Sequence, residues 1–365
     1  MSDVIKHPAP SIKHQTSNKM PTYKNIHNHF RLNGAHFTKD DLCTLAYEFV
    51  KEGNESEKHL GLFILDWFDE SHEIILKTSG TTGKPKEITV VKQAMVNSAL
   101  ATGDFFGLHS KDKALCCLPV NFVAGKMMLV RAFILGLDID FTEANAAPLK
   151  NSDKEYDFVA MTPMQVENSL DKLHLIRKLI IGGSKINHSL EEKLKKIPSE
   201  IYETYASTET LTHIAVRRIG EESFRLLPGI SILLDPRGCL IINAPRISTD
   251  KIITNDLAEL KSENEFILLG RIDDVVNSGG IKLFPEKIEP QLAGKIPHRF
   301  FLGGIPDSVL GEKLVLVIES EKYDFDTSVF EELDKYEKPK EIFFVPKFPE
   351  TENGKIKRNE VLDNL

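Results

Sequence analysis

Four cysteines in 365 residues leave little to build a disulfide framework, and no two of them stand as Cys-x-x-Cys. That argues against a thiolate metal site or a redox dithiol and predicts a reduced, cytoplasmic chain. No apolar run approaches the roughly 18 residues that cross a bilayer. No apolar core follows the N-terminus, where His7, Pro8, Pro10 and Ser11 stand, so no secretory signal is expected. Basic charge is in deficit: 46 Lys and Arg against 54 Asp and Glu give −8, which removes electrostatic support for nucleic-acid binding. Neither an internal repeat nor a low-complexity segment is present. What remains is 41% hydrophobic and 27% charged, a globular composition with length for about two or three domains.

One stretch stands out. The apolar Ile74-Ile75-Leu76 leads through Lys77 into Thr78-Ser79-Gly80-Thr81-Thr82-Gly83-Lys84-Pro85-Lys86. Glycines let backbone N–H groups approach an anion, four hydroxyls add donors, and Lys84 and Lys86 bring charge. No Gly-x-x-x-x-Gly-Lys-[Ser/Thr] pattern runs through it, so it is not a Walker A loop. It is a candidate polyphosphate grip, the plain alternative being a polar turn.

Along the chain, residues 1–36 are polar and read as an N-terminal tail. Its His27-x-His29 lacks a nearby carboxylate or cysteine and reads as surface rather than metal site. Leu42, Leu45, Ala46 and Phe49 recur at helical spacing. Helices are expected over 92–106, ended by Gly107, and over 124–135. Strands are expected at 88–91, 114–120, 138–141, 158–162 and 179–181. The alternation predicts an α/β fold with a largely parallel sheet. Residues 213–245 read as short antiparallel strands. A small α+β unit follows, with a helix expected over 328–336. The predicted division is a tail (1–36), a large domain (37–271) and a small C-terminal domain (272–365).

Four further clusters follow the loop: Tyr205-Ala206-Ser207-Thr208-Glu209-Thr210; Ile253-Thr254-Asn255-Asp256; Gly270-Arg271-Ile272-Asp273-Asp274 running on to Gly279-Gly280; and Pro349 to Lys355. In this order the five motifs resemble the adenylate-forming superfamily, which includes acyl- and aryl-CoA ligases. The resemblance covers residues 74–360. It implies a large AMP-binding domain of layered α/β sheets and a small, mobile C-terminal lid that rotates between half-reactions. It also implies ATP, Mg²⁺ and CoA as cofactor and co-substrates.

Roles follow from the same resemblance. Thr78, Ser79, Gly80, Thr81, Thr82, Gly83, Lys84 and Lys86 would hold the β- and γ-phosphates. Thr208 would donate to the α-phosphate and Glu209 would hold Mg²⁺. Tyr205 would stack on adenine, and Asp256 and Arg271 would bond the ribose. Lys355 would bridge carboxylate and phosphate, Asp273 would be the hinge, and Gly279 and Gly280 would line the CoA channel. Gly182 and Gly183 would border the acyl pocket.

The stretch Leu118 to Ala132 resembles the corresponding part of the o-succinylbenzoate–CoA ligases of menaquinone biosynthesis. Asn121-Phe122 replaces the usual Phe-His there, and the region before the loop is short, so an N-terminal subdomain is reduced or missing. For a dicarboxylic aromatic acid, the apolar helix 124–135 offers two cations, Lys126 and Arg131. They lie about 140° apart around it. At most one can face an acyl pocket, and Arg131, with a planar fork suited to carboxylate, is the choice. The expected partners are a small carboxylic acid, ATP and CoA; a homodimer is compatible with all of this. The competing readings are a different aryl- or acyl-CoA ligase, an amino-acid adenylating enzyme and a non-catalytic nucleotide-binding protein.

Overall fold

The computed structural model describes residues 20–77, 87–207, 209–350 and 356–365. Helices α1 (Lys39–Glu52) and α2 (Glu55–Phe68) each start on a capping box, Thr38 with Asp41 and Asn54 with Glu57. They pack closely because Gly61 has no side chain; a Cβ there would collide with the Ala46 carbonyl. Helices α3 (Lys92–Phe106) and α4 (Val123–Leu135) both end on a glycine in the left-handed region, Gly107 and Gly136. Helix α4 is buried along Gly125–Ile134, as a helix apolar on every side must be, and it carries Lys126 and Arg131 inside with it.

A sheet of thirteen strands runs through the large part of the chain. Its parallel section joins Asp138–Phe141, Lys113–Cys116, Tyr156–Met161, Ile176–Ile181 and Glu200–Ala206 in that spatial order. Successive residues face opposite sides. Ala114, Cys116, Phe158, Ala160 and Ile180 enter one core, while Leu115, Val159, Met161, Leu179 and Ile181 enter the other. Both faces are therefore covered, as parallel sheets require. The sheet continues antiparallel through His213–Arg218, Phe224–Leu226, Glu265–Arg271, Ile252–Ser262, Cys239–Asn243 and Ser231–Leu234. The α/β class expected from the sequence is what the structure has, but the sheet is mixed rather than largely parallel, because the turn-rich strands after residue 213 join the same sheet instead of forming a separate one.

Two expectations need correction. The tail does not extend to residue 36: Phe30 is fully buried, and Arg31–Leu32 pairs in parallel with Asp138–Ile139. The polar composition hid two apolar anchors among histidines. The helix expected over 328–336 is a single 3₁₀ turn, Thr327–Phe330. Asp326 accepts from the Ser328 N–H and Asp334 from the Tyr336 N–H, and these local bonds compete with helix formation.

Helices α5 (Pro163–Glu167) and α6 (His188–Leu194) belong to the large part, α7 (Pro285–Leu292) and α8 (Arg358–Leu362) to the C-terminal part. There a five-stranded sheet centres on Gly311–Glu319. Leu314, Leu316 and Ile318 of that strand enter one small core, and Val315 and Val317 enter a second. Among the described residues, no helix is long and apolar enough to cross a membrane.

Candidate active site

The parallel strands all point the same way, so the loops after them gather at one edge of the sheet. Among the described residues these include Leu118–Phe122, Thr162, Gly182–Lys185, Ser207 and Glu209–Thr212. In open α/β sheets that carboxyl edge is where ligands bind. Of the sequence motifs, the one that begins at Tyr205 lies at the end of such a strand, Glu200–Ala206. Strands Glu73–Lys77 and Glu87–Val91 pair antiparallel, with Lys77 and Glu87, the residues that flank the phosphate-loop motif, opposite each other. Thr78, Ser79, Gly80, Thr81, Thr82, Gly83, Lys84 and Lys86 themselves, with Thr208 and Lys355, lie outside the described residues.

Tyr205 is the last residue but one of its strand, Glu200–Ala206, and is 7% exposed. Its ring meets Phe224 and Phe266 edge to face, and its hydroxyl donates to Asp256 Oδ2 at 2.6 Å. Burial, and then the Asp256 carboxylate, push the phenol far above its ordinary range, so it stays a donor. Asp256 and Arg271 are cross-strand partners, with Arg271 Nη1 3.5 Å from Asp256 Oδ1. Arg271 Nη2 donates to Asp273 Oδ2 at 2.9 Å, and Asn255 Nδ2 stands 3.4 Å from the same oxygen. Four motif residues from three segments thus form one polar chain: Tyr205, Asp256, Arg271, Asp273.

The turn after Tyr205 is held from within. Ser207 N–H donates to Thr210 Oγ1 at 2.8 Å, and Thr210 is fully buried. Leu211 adopts φ +63°, an uncommon conformation for a leucine. Glu209 is exposed on this turn, and no group of three or more His, Cys, Asp or Glu among the described residues could hold a metal. One exposed carboxylate fits Mg²⁺, which keeps waters and substrate phosphates and needs few protein ligands.

Gly182 and Gly183 follow the strand Ile176–Ile181. A Cβ on Gly182 would stand 2.5 Å from Thr204 Oγ1, and Gly183 has φ +91°, so each position requires glycine. Lys185, just beyond, pairs with Glu286 of α7 at 2.9 Å and ties this turn to the C-terminal part. Gly279 and Gly280, both at positive φ, make the two-residue link between Val276–Ser278 and Ile281–Leu283.

The two cations of α4 have different surroundings. Lys126 Nζ lies 5.6 Å from the centre of the Phe63 ring, and its charge reaches Asp66, both on α2. Arg131 points elsewhere. It is 3% exposed, with Nη2 3.4 Å from His213 Nδ1 and Nη1 3.6 Å from Met128 Sδ. Its Nε has no partner, and it has no ion pair with a carboxylate among the described residues. Burial lowers its pKa to about 10. His213, Thr102 and Thr212 around it escaped the sequence reading, since a lone histidine in a strand carries no motif.

Comparison with known proteins decides the family. The family described as AMP-binding enzyme matches residues 69–236. A solved structure, the acyl-CoA synthetase (AMP-forming)/AMP-acid ligase II-like protein from Dyadobacter fermentans DSM 18053, is 34% identical. The match covers 88% of this chain and 97% of that one, with a TM-score of 0.61. The chain belongs to the AMP-binding enzyme family. This AMP-binding enzyme is also 26% identical to the 2-succinylbenzoate–CoA ligase of Lactococcus lactis subsp. lactis, over 81% of its length and 72% of the relative's. The same figure holds for that ligase from Listeria monocytogenes EGD-e, over 87% and 74%. In fold alone it is similar to the o-succinylbenzoate coenzyme A synthetase of Bacillus subtilis solved with ATP and magnesium, at 20% identity and a TM-score of 0.67, over 79% and 69%.

Proposed function

We propose that this AMP-binding enzyme joins o-succinylbenzoate to CoA at the expense of ATP, in the cytoplasm. A carboxylate is a poor electrophile. Its oxygen attacks the α-phosphorus of ATP, pyrophosphate leaves, and an acyl-adenylate forms; the CoA thiol then attacks the acyl carbon and AMP leaves. The first step crowds negative charge, which needs fixed donors, lysine and a divalent cation.

In this reading Thr78–Lys86 cradle the β- and γ-phosphates. Thr208 and Glu209 serve the α-phosphate and Mg²⁺, and Lys355 bridges the reacting groups. Asp256 takes the ribose hydroxyls, aimed by the Tyr205 hydroxyl and by Arg271. Adenine stacks on the small exposed part of Tyr205, beside Gly182 and Gly183. Gly279 and Gly280 admit the thiol arm once the C-terminal part turns about Asp273.

The observation that carries the substrate is Arg131. A buried cation without a counter-charge is costly unless an anion completes it. o-Succinylbenzoate brings two carboxylates. One reacts, and the other is left to meet a planar guanidinium that lies beside Met128 and 6.0 Å from the centre of the Phe158 ring. The test is ATP- and CoA-dependent AMP release over aryl, alkyl and amino acids, with ATP–pyrophosphate exchange beside it. We expect o-succinylbenzoate to be preferred. Release with fatty or amino acids and none with o-succinylbenzoate would overturn the substrate, and no exchange with any acid would overturn the enzyme.

A further inference from the structure

Arg131 cannot choose its own direction. A guanidinium carries five N–H donors and no acceptor. The nitrogen facing it, His213 Nδ1 at 3.4 Å, must therefore present a lone pair. That places the imidazole proton on Nε2. Nε2 stands 3.5 Å from Thr102 Oγ1, whose own hydroxyl donates to the Ser98 carbonyl at 2.9 Å. The hydroxyl is thus free only to accept from Nε2–H. Every donor runs one way: His213 Nε2–H to Thr102, and Thr102 O–H to Ser98. Thr212 Oγ1, 3.4 Å from the same Nδ1, can donate alongside Arg131. All of this is shut from water, with Thr102 at 0% and His213 at 6% exposure. Burial, helped by the Arg131 charge, drives the imidazole well below its ordinary pKa, in agreement with a neutral ring.

We propose that His213, locked in its Nε2–H tautomer by Thr102, is the positioning residue that aims Arg131 at the spectator carboxylate of the acid. The inference rests on the reading of Arg131 above. It explains why an imidazole stands here. An aspartate or glutamate would hold the guanidinium as well, but would cancel the charge the substrate needs. A neutral ring fixes one corner of the fork and leaves its charge, and its unmet Nε–H, for the incoming carboxylate.

The test uses the full chain with o-succinylbenzoate, ATP and CoA. His213→Phe should raise KM for the acid about tenfold, the loss of one hydrogen bond to a charged group, with kcat and KM for ATP nearly unchanged. His213→Gln, which keeps an acceptor, should recover part of this. Thr102→Val should fall between them. ¹⁵N spectra of histidine-labelled wild-type protein should show a protonated Nε2 and a bare Nδ1 for His213, whether or not the variants fold. A protonated Nδ1 overturns the proposal. So does an unchanged acid KM in His213→Phe while Arg131→Met raises it. If Arg131→Met leaves the acid KM unchanged as well, it is the role of Arg131 that has failed.

Discussion

Arg131 is a residue placed against its own stability. Buried with no carboxylate paired to it among the described residues, it should be costly to fold around. Arg131→Met keeps the volume and removes the charge, so it should stabilise the protein by about 1 kcal/mol or more while raising KM for the acid. Thermal unfolding beside steady-state kinetics checks this; a variant that loses stability makes Arg131 a structural residue. Lys355 should behave differently. Its ammonium matters only while carboxylate attacks phosphate, so Lys355→Ala should abolish adenylation and still convert a supplied acyl-adenylate to thioester. Equal loss in both half-reactions would remove it from that role. The motif residues were legible because each stands in a contiguous signature. His213 and Thr102 were not, because they lie 111 positions apart and meet only through packing.

Among the elements, the strands Glu200–Ala206 and His213–Arg218 carry Tyr205 and His213, and one arginine clamps them. Arg217 donates to Glu203 Oε2 at 2.7 Å through Nη2 and to Glu191 Oε1, on α6, at 2.8 Å through Nη1. Burial works to raise the Glu191 carboxyl, and the bonds and charge of Arg217 outweigh it, so the group sits below its ordinary 4.5. A carboxyl lowered by folding contributes stability above its unfolded pKa, and that contribution is lost as pH falls through the folded value. Stability should therefore decline below about pH 4.5. Arg217→Met should cost about 2–3 kcal/mol at neutral pH and flatten that acid limb. Urea unfolding from pH 3 to 7 reads both; an unchanged limb removes the clamp. Apolar periodicity predicted the second of these strands, within the turn-rich stretch 213–245. It could not show the clamp, whose three members come from separate elements. It also overextended the helix after Ser328, where short aspartate bonds win locally.

For the whole molecule, the division into a large part through Arg271 and a small one from Ile272 is proposed on two grounds. The sheets do not share a strand, and the cores of the C-terminal part are its own. Asp273 sits in the 3₁₀ turn between them, Ile272–Asp274, and is held by Arg271. If the small part turns there between half-reactions, Asp273→Pro should let adenylation proceed and block thioester formation, since proline fixes φ near −65°. Pyrophosphate exchange measured against acyl-CoA yield separates the two. Normal turnover would take the hinge away from Asp273.

The sequence by itself determined the family and the class of reaction. Each motif is a short run of particular side chains, and a short run stays legible in a chain whatever surrounds it. Helical pitch alone also set Lys126 and Arg131 about 140° apart on helix α4, so that at most one was expected at a pocket. Only the tertiary structure decided what each cation meets: α2 for Lys126, and the His213 strand for Arg131. It likewise decided that Tyr205, Asp256 and Arg271 share one polar chain across antiparallel strands. Those meetings depend on strand order and crossovers, which bring together residues dozens of positions apart, and no local pattern encodes them.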